Sequence, residues 1–272
     1  MSDWVFELAK AKINLSLHVL GRRTDGYHEL DSHVAFADCG DELWVRPAAE
    51  NSYIYDGPYA AQLPAFENNI IFKAWQQAKI IVAPHGVALP CVEIKLIKNL
   101  PVASGIGGGS ADAAAMLRAL FKMVAFEISP NELSGLAKSL GADVPVCFKQ
   151  VACRMQGIGE VVTAFEVGPG AQSILLVNPN LPCSTADVFK TLGLVPGQLH
   201  KCAQGGMHND LTEPAVLVQP AIRIVMEVLK NYFKDVRMSG SGATCFAIGE
   251  NFDAVEKIQK AHPEWWVKAT KI

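Results

Sequence analysis

Residues 100–115 read Leu-Pro-Val-Ala-Ser-Gly-Ile-Gly-Gly-Gly-Ser-Ala-Asp-Ala-Ala-Ala, a glycine cluster running straight into alanine-rich sequence. Glycine lets a backbone turn sharply and lets a ligand come close to its N–H groups. Alanine is the strongest helix former. A tight turn feeding a helix presents that helix's unpaired first-turn N–H donors and its partial positive charge. The pair makes a cradle for phosphate oxygens. Ser110 is the expected N-cap of the helix.

Two better-known phosphate loops fit poorly. A G-x-x-x-x-G-K-[ST] loop needs a lysine, and Gly109 is followed by Ser110 and Ala111. The dinucleotide pattern G-x-G-x-x-G fits Gly105 and Gly107 but finds Ser110 at its third position. It also follows a buried, continuously apolar strand. Here Val92, Ile94 and Leu96 alternate with Glu93 and Lys95, which predicts a half-solvated strand of an antiparallel or mixed sheet.

With 272 residues, 50% of them hydrophobic, the chain can build a full core without staples. Its net charge of −3 argues against a polyanion-binding surface, so nucleic acid is not an expected partner. Seven scattered cysteines without a C-x-x-C predict reduced thiols, not a disulfide framework or a cysteine-based zinc site. No signal-peptide pattern and no apolar run of bilayer length is visible, so a cytoplasmic, non-membrane protein is expected.

Lys12 to Val19 alternates cleanly. Ile13, Leu15, Leu17 and Val19 share one face of a strand; Lys12, Asn14, Ser16 and His18 share the other, either solvated or lining a cleft. Asp25-Gly26 predicts a turn, which leaves Tyr27 and His28 at the mouth of the second strand. An aromatic ring beside an imidazole can stack on and hydrogen-bond a flat base; such stacking is worth about 1–3 kcal/mol. Ser129-Pro130-Asn131-Glu132 is a capping box that opens a helix, which Gly141 closes as a left-handed cap. Asp143 then lies on a helix-to-strand connection stiffened by Val144-Pro145. Asn68 or Asn69 caps another helix, and Met238 to Thr244 forms a second Gly/Ser loop ahead of a short strand.

Together these segments resemble the GHMP small-molecule kinases. Pro101 to Ala115 resembles their central phosphate-binding motif, Ala11 to Leu15 the first motif, and Met238 to Ile248 the third. Gly26-Tyr27-His28-Glu29-Leu30 and Leu140-Gly141-Ala142-Asp143-Val144-Pro145 resemble the branch that phosphorylates the 2-hydroxyl of a cytidine-diphosphate-linked polyol, a step of non-mevalonate isoprenoid synthesis. The resemblance implies an α+β fold of mixed sheets layered with helices. It further implies two domains, 1–165 for ATP and 166–272, with the active site in the cleft between them. Asp143 would be the general base and Lys12 its cationic neighbour. Asn69, Lys98, Pro101, Ser104, Gly105, Gly107, Gly108, Gly109 and Ser110 would bind ATP. Asn14, Tyr27, His28, Thr185 and Phe189 would bind the acceptor, with Phe189 on the pyrimidine. Mg2+ is expected with ATP, with Ser110 a candidate contributor, and the chain is expected to be a monomer or weak homodimer.

Ala103-Ser104 departs from relatives that carry further glycines there, and its β-carbons would narrow the nucleotide pocket. Leu194 to Gly206 matches nothing in the family pattern, and Val167 to Gly170 is the expected domain boundary. Three rivals remain. A kinase for homoserine or mevalonate would lack the Tyr27-His28 plus Phe189 set. A nicotinamide-dependent oxidoreductase would need the missing third glycine. A catalytically dead nucleotide-binding regulator would have lost Lys12 or Asp143.

Overall fold

The computed structural model describes residues 4–168, 171–200 and 206–272, so part of the expected boundary at 167–170 and part of the 194–206 tract lie outside the described residues. In chain order the elements are β1 (Val5–Arg22), β2 (His28–Pro47), β3 (Ser52–Asp56), α1 (Ile70–Val82), β4 (Val92–Ile97), α2 (Gly108–Met123), α3 (Pro130–Leu140) and α4 (Val144–Lys149). There follow β5 (Cys153–Gly157), β6 (Val161–Ala164), β7 (Ser173–Asn178), α5 (Thr185–Leu192), α6 (Thr212–Val218), α7 (Ala221–Lys230), β8 (Asp235–Met238), β9 (Cys245–Ile248), α8 (Phe252–Ala261) and β10 (Trp266–Lys271).

Packing groups these elements into two compact units, each discontinuous in sequence. Unit 1 comprises Met1–Ala11, Cys39–Val102 and Gly107–Gln150; unit 2 comprises Lys12–Asp38, Ala103–Ile106 and Val151–Ile272. β1 and β2, of 18 and 20 residues, each contribute residues to both units.

In unit 1, β4 pairs antiparallel with the end of β2 (Leu43 opposite Leu96) and parallel with β3 (Tyr53 opposite Ile94). This is the mixed sheet that the alternation of β4 predicts, with Val92, Ile94 and Leu96 buried and their neighbours half-buried. Helix α2 is buried nearly all round, from Ala111 to Leu117 and again from Ala119 to Phe121. Five of those residues are alanines, whose small side chains let neighbours such as α1, which offers Ala74 and Ala78, pack close.

In unit 2, β10-β7-β9-β8 form an antiparallel sheet, while the first half of β2 pairs with β5, and β5 with β6. Leu175 and Val177 of β7, Ala247 of β9, Ile258 of α8 and the helical triplet Ile222, Val225 and Leu229 of α7 bury the core. Each large side chain withdrawn from water is worth about 1.5–3 kcal/mol.

Two local expectations are corrected. Gly141 is not a left-handed cap but sits at φ 128°, ψ 149°, a region essentially reserved for glycine. The segment after Asp143 is not a strand but helix α4, with Pro145 in its first turn. There proline has no N–H to leave unpaired, and its fixed φ suits a helix start.

Candidate active site

The phosphate loop takes its shape from left-handed residues. Gly105 (φ 76°) and Gly107 (φ 65°) turn the chain, and Ala103 shares the conformation at φ 52° in spite of its β-carbon. Helix α2 starts at Gly108, with Gly107 as its N-cap and no side chain capping it. Ser110 is therefore not the N-cap; it lies inside the first turn, because three glycines in a row let the helix begin earlier than the first capping side chain. The first backbone bond of the helix runs from Ala111 N to Gly107 O (2.8 Å), so the N–H groups of Gly108, Gly109 and Ser110 precede the hydrogen-bonded ladder.

The first half of the loop interlocks with the second Gly/Ser loop within unit 2. Ser239 Oγ donates to Gly105 O (3.0 Å) and Thr244 N donates to Ser104 O (3.0 Å). A β-carbon on Gly105 would lie 2.4 Å from Ser239 O, and one on Gly240 would lie 2.5 Å from Gly105 O. Only glycine fits at this crossing. Ser104 and Pro101 are buried, as supports of the loop.

Lys98 lies under the second half of the loop, within unit 1. A β-carbon on Gly108 would come 3.3 Å from its Nζ. The side chain is buried, and Nζ donates to Asp41 Oδ2 (2.5 Å) and Asp112 Oδ2 (2.6 Å). Burial works against its charge, but the two carboxylates outweigh that and hold its pKa above the ordinary lysine value. Burial pushes Asp112 well above the usual carboxylate range, against the pull of Lys98. Asp41 Oδ1 also accepts from Asn99 N (2.6 Å) and Leu100 N (2.8 Å), which pins the entry to the loop. Sequence reasoning found Lys98 but missed Asp41 and Asp112. The available signal was a lone carboxylate in an alanine-rich helix that has no other acid.

Asn69 is the N-cap of α1, its side chain accepting from Ile71 N (3.0 Å). Tyr55, also in unit 1, has a buried hydroxyl whose pKa is pushed up to about 12, chiefly by burial. Asp143 is half-buried at the head of α4, and its side chain does not cap that helix.

In unit 2 the polar face of β1 is neither solvated nor loosely exposed: Lys12, Asn14, Ser16 and His18 are all buried. Such a face must find partners. Asn14 Nδ2 donates to Ser32 Oγ (2.7 Å), Ser32 Oγ donates to Ser16 O (2.6 Å), and Asn14 N donates to Ser239 Oγ (3.0 Å). Lys12 N donates to Ile106 O (2.9 Å), tying β1 to the phosphate loop. Asn14 Oδ1 is buried with no hydrogen-bond partner.

His28 and Phe189 stack at 4.4 Å between ring centroids with 25° between planes. They line a cavity of about 470 Å³ with Arg22 and Lys190. His28 Nε2 is buried with no hydrogen-bond partner, and burial first, then Arg22, lowers the pKa of the ring. The imidazole is thus neutral near pH 7, with one donor and one acceptor nitrogen. Tyr27 is 61% exposed. Thr185 lies at the head of α5, its Oγ1 2.7 Å from Ser241 Oγ, beside the second Gly/Ser loop.

A phosphate cradle locked by a second glycine loop, in this chain order, is matched by family models. The GHMP kinase N-terminal domain matches residues 69–150 and the GHMP kinase C-terminal domain residues 195–268. The chain belongs to the GHMP kinases. Among curated members of the family it is 42% identical to 4-diphosphocytidyl-2-C-methyl-D-erythritol kinase of Bradyrhizobium diazoefficiens, over 97% of each chain. It is 41% identical to the protein of the same name from Rhizobium etli, over 98% of this chain and 94% of that one. A crystal structure of 4-(cytidine 5'-diphospho)-2C-methyl-D-erythritol kinase superposes with a TM-score of 0.76 at 30% identity, covering 98% of both chains. Homoserine kinase from Cytophaga hutchinsonii shares the GHMP fold at a TM-score of 0.68 and 18% identity, covering 99% of this chain and 95% of that one. A GHMP kinase takes its phosphoryl group from ATP. No helix among the described residues is long and apolar enough to cross a membrane.

Proposed function

We propose that this GHMP kinase transfers the γ-phosphoryl group of ATP to the 2-hydroxyl of 4-diphosphocytidyl-2-C-methyl-D-erythritol, giving the 2-phosphate and ADP. The observation that carries the acceptor is the His28–Phe189 stack over a cavity flanked by two cations, Arg22 and Lys190. A neutral imidazole with an unengaged buried nitrogen suits the donor and acceptor edge of a pyrimidine, and the aromatic face suits its plane. Arg22 and Lys190 suit the diphosphate. Whole-length similarity to curated kinases of that name supports the same reading. A homoserine or mevalonate acceptor would leave the buried His28 nitrogen without use.

In this reading the first-turn N–H groups of α2 hold phosphate oxygens, and Asn69 contacts the base of ATP. Asp143 accepts the proton of the 2-hydroxyl as that oxygen forms its bond to the γ-phosphorus and the bond to the β-bridging oxygen breaks. Lys12 offsets charge on the transferring group. Asn14 Oδ1, a buried acceptor without a partner, takes a hydrogen bond from an acceptor hydroxyl. Thr185 and Tyr27 border the acceptor. The Ser110 hydroxyl, one oxygen in the first turn of α2, fits as a ligand for Mg2+, with phosphate oxygens and waters completing the shell. Asp112 does not fit that role, since it is fully buried and bonded to Lys98. Mg2+ would neutralise developing phosphate charge. We place the boundary of the two family domains at 165/166, between the two matched segments, and the chain in the cytoplasm as a monomer or weak homodimer.

The test is ADP release with Mg2+ and each of three acceptors: the diphosphocytidyl alcohol, homoserine and mevalonate. Turnover with the first alone is expected. Turnover with either of the others at a comparable rate overturns the acceptor assignment and leaves family membership intact.

A further inference from the structure

Unit 2 holds a second cluster of chemistry-bearing side chains that the kinase reaction does not use. The chain segment 208–210 lies beside β1 as an isolated parallel bridge, Leu17 opposite Asn209. Leu17 N donates to His208 O (2.9 Å) and Asp210 N donates to Leu17 O (2.9 Å), so this short stretch is held at both ends. Side chains alternate along extended backbone. The bridge therefore turns His208 and Asp210 to the same side as His18, away from Leu17 and Asn209.

His18 decides what this side can do. Its Nε2 lies 3.1 Å from the carbonyl oxygen of Gly206. A carbonyl can only accept, so Nε2 carries the hydrogen, and in the neutral ring Nδ1 carries a lone pair. The residue is 9% exposed, and Nδ1 is buried with no hydrogen-bond partner. It faces Asp210 Oδ2 at 4.0 Å, one acceptor towards another. The other oxygen, Asp210 Oδ1, lies 3.0 Å from His208 Nε2. Asp210 Oδ2 is itself oriented by the N–H of Val19 (2.8 Å). One ligand atom from each of the three residues lies within 4.8 Å of the other two.

We propose that His18, His208 and Asp210 bind a zinc-class divalent cation, with water in the fourth position. Two imidazoles and a carboxylate are a donor set that suits Zn2+ and disfavours Mg2+, which prefers oxygen ligands. A ring N–H donating to a backbone carbonyl is the outer-shell contact that orients a ligating histidine. Tetrahedral ligands at Zn2+ distances stand about 3.3 Å apart, so the three side chains close by small rotations. His208 gives up its bond to Asp210 and turns Nε2, as a lone pair, to the ion. The ion would cross-link segment 208–210 to β1. The role is structural and leaves the phosphoryl-transfer chemistry to other residues, so it stands whichever acceptor the kinase uses.

The whole protein, without nucleotide, is titrated with Co2+ and then with Zn2+ in the presence of excess Mg2+. A visible d–d band of a tetrahedral nitrogen/oxygen site, displaced by Zn2+ and not by Mg2+, is expected. Zn2+ should also raise the melting temperature with concentration. His208→Asn tests the site with little risk to the fold, since that side chain is 41% exposed. It should weaken binding by more than the roughly 10–100-fold that loss of an outer-shell partner costs. Equal Co2+ binding by the variant and the parent overturns the proposal. So does a near-ultraviolet thiolate band, which would assign the metal to the free cysteines, and so does an absence of binding.

Discussion

Two helices of unit 1 begin in opposite ways. Helix α3 closes on itself: Ser129 Oγ accepts from Glu132 N (3.3 Å), while Glu132 Oε2 accepts from Ser129 N (2.9 Å) and from the Ser129 hydroxyl (2.5 Å). The N–H groups of Ser129 and Glu132 are met by the helix's own side chains, a reciprocal capping box. Helix α2 begins on Gly107 with no capping side chain, and a β-carbon on Gly109 would find nothing nearer than Ile70 Cγ2 at 3.9 Å. The N–H groups of Gly108, Gly109 and Ser110 precede its hydrogen-bonded ladder. A self-capped helix is architecture. A bare one whose entry is locked in shape by a second loop is equipped to hold an anion. The contrast is sharper than the motif, because it identifies which N–H groups are on offer.

The comparison can be broken experimentally. The largest effect is expected at α4, a third helix of unit 1 that begins without a side-chain cap, on Asp143. Asp143→Ala should cut kcat by about 10²–10⁴-fold, the range for a lost general base, while KM for ATP moves little. A stopped-flow or coupled ADP assay checks this, and near-normal turnover removes Asp143 from the chemistry.

Next is the lock on α2. Gly105→Ala places a β-carbon 2.4 Å from Ser239 O at φ 76°. Left-handed backbone alone costs a non-glycine residue about 1–2 kcal/mol, and the clash adds to it. A lower melting temperature together with weaker ATP binding is expected in calorimetry. Unchanged ATP affinity would mean that the loop's shape does not matter. Third, Ser129→Ala should lose about 1 kcal/mol of stability in urea unfolding with kcat unaltered, as fits a cap that serves only its own helix. If it slowed catalysis, the division between the two helix starts would be wrong.

The smallest effect is in pH. Hydrogen bonds from Ser129, then His85, hold Glu132 at about 2, below its ordinary 4.5. A depressed carboxylate contributes stability above its unfolded pKa and loses it as pH falls towards the folded value. The parent should therefore lose this small contribution between about pH 4.5 and 2, and Glu132→Ala should flatten that part of the stability profile. Identical acid limbs would show that the capping box carries no linkage.

Much of this was readable in advance because it is local. The Gly-Ile-Gly-Gly-Gly turn, the Ser129 capping box, the Asn69 cap and the alternation of β4 each rest on contacts within a few residues, and each formed. Helix α2 is capped three positions before Ser110, at Gly107, because a glycine N-cap leaves no side chain in the sequence pattern. The connection at Asp143, stiffened by Val144-Pro145, leads into a helix and not a strand, because proline's exclusion from helices relaxes in the first turn.

β1 and β4 show where local pattern runs out. Both alternate apolar with polar residues. In β4 the polar side is half-exposed. In β1 it is buried, with Asn14 on Ser32 and Ser16 beside His33, its partners 17 or 18 positions away. Lys98 likewise meets Asp41, 57 positions distant, and His18 meets Asp210 across 192 positions of chain. Period and spacing report what a strand or helix start can do alone, since backbone geometry acts over a few residues. Whether a polar side chain faces water, a partner or a ligand depends on which remote segment is folded against it, and that is a property of packing.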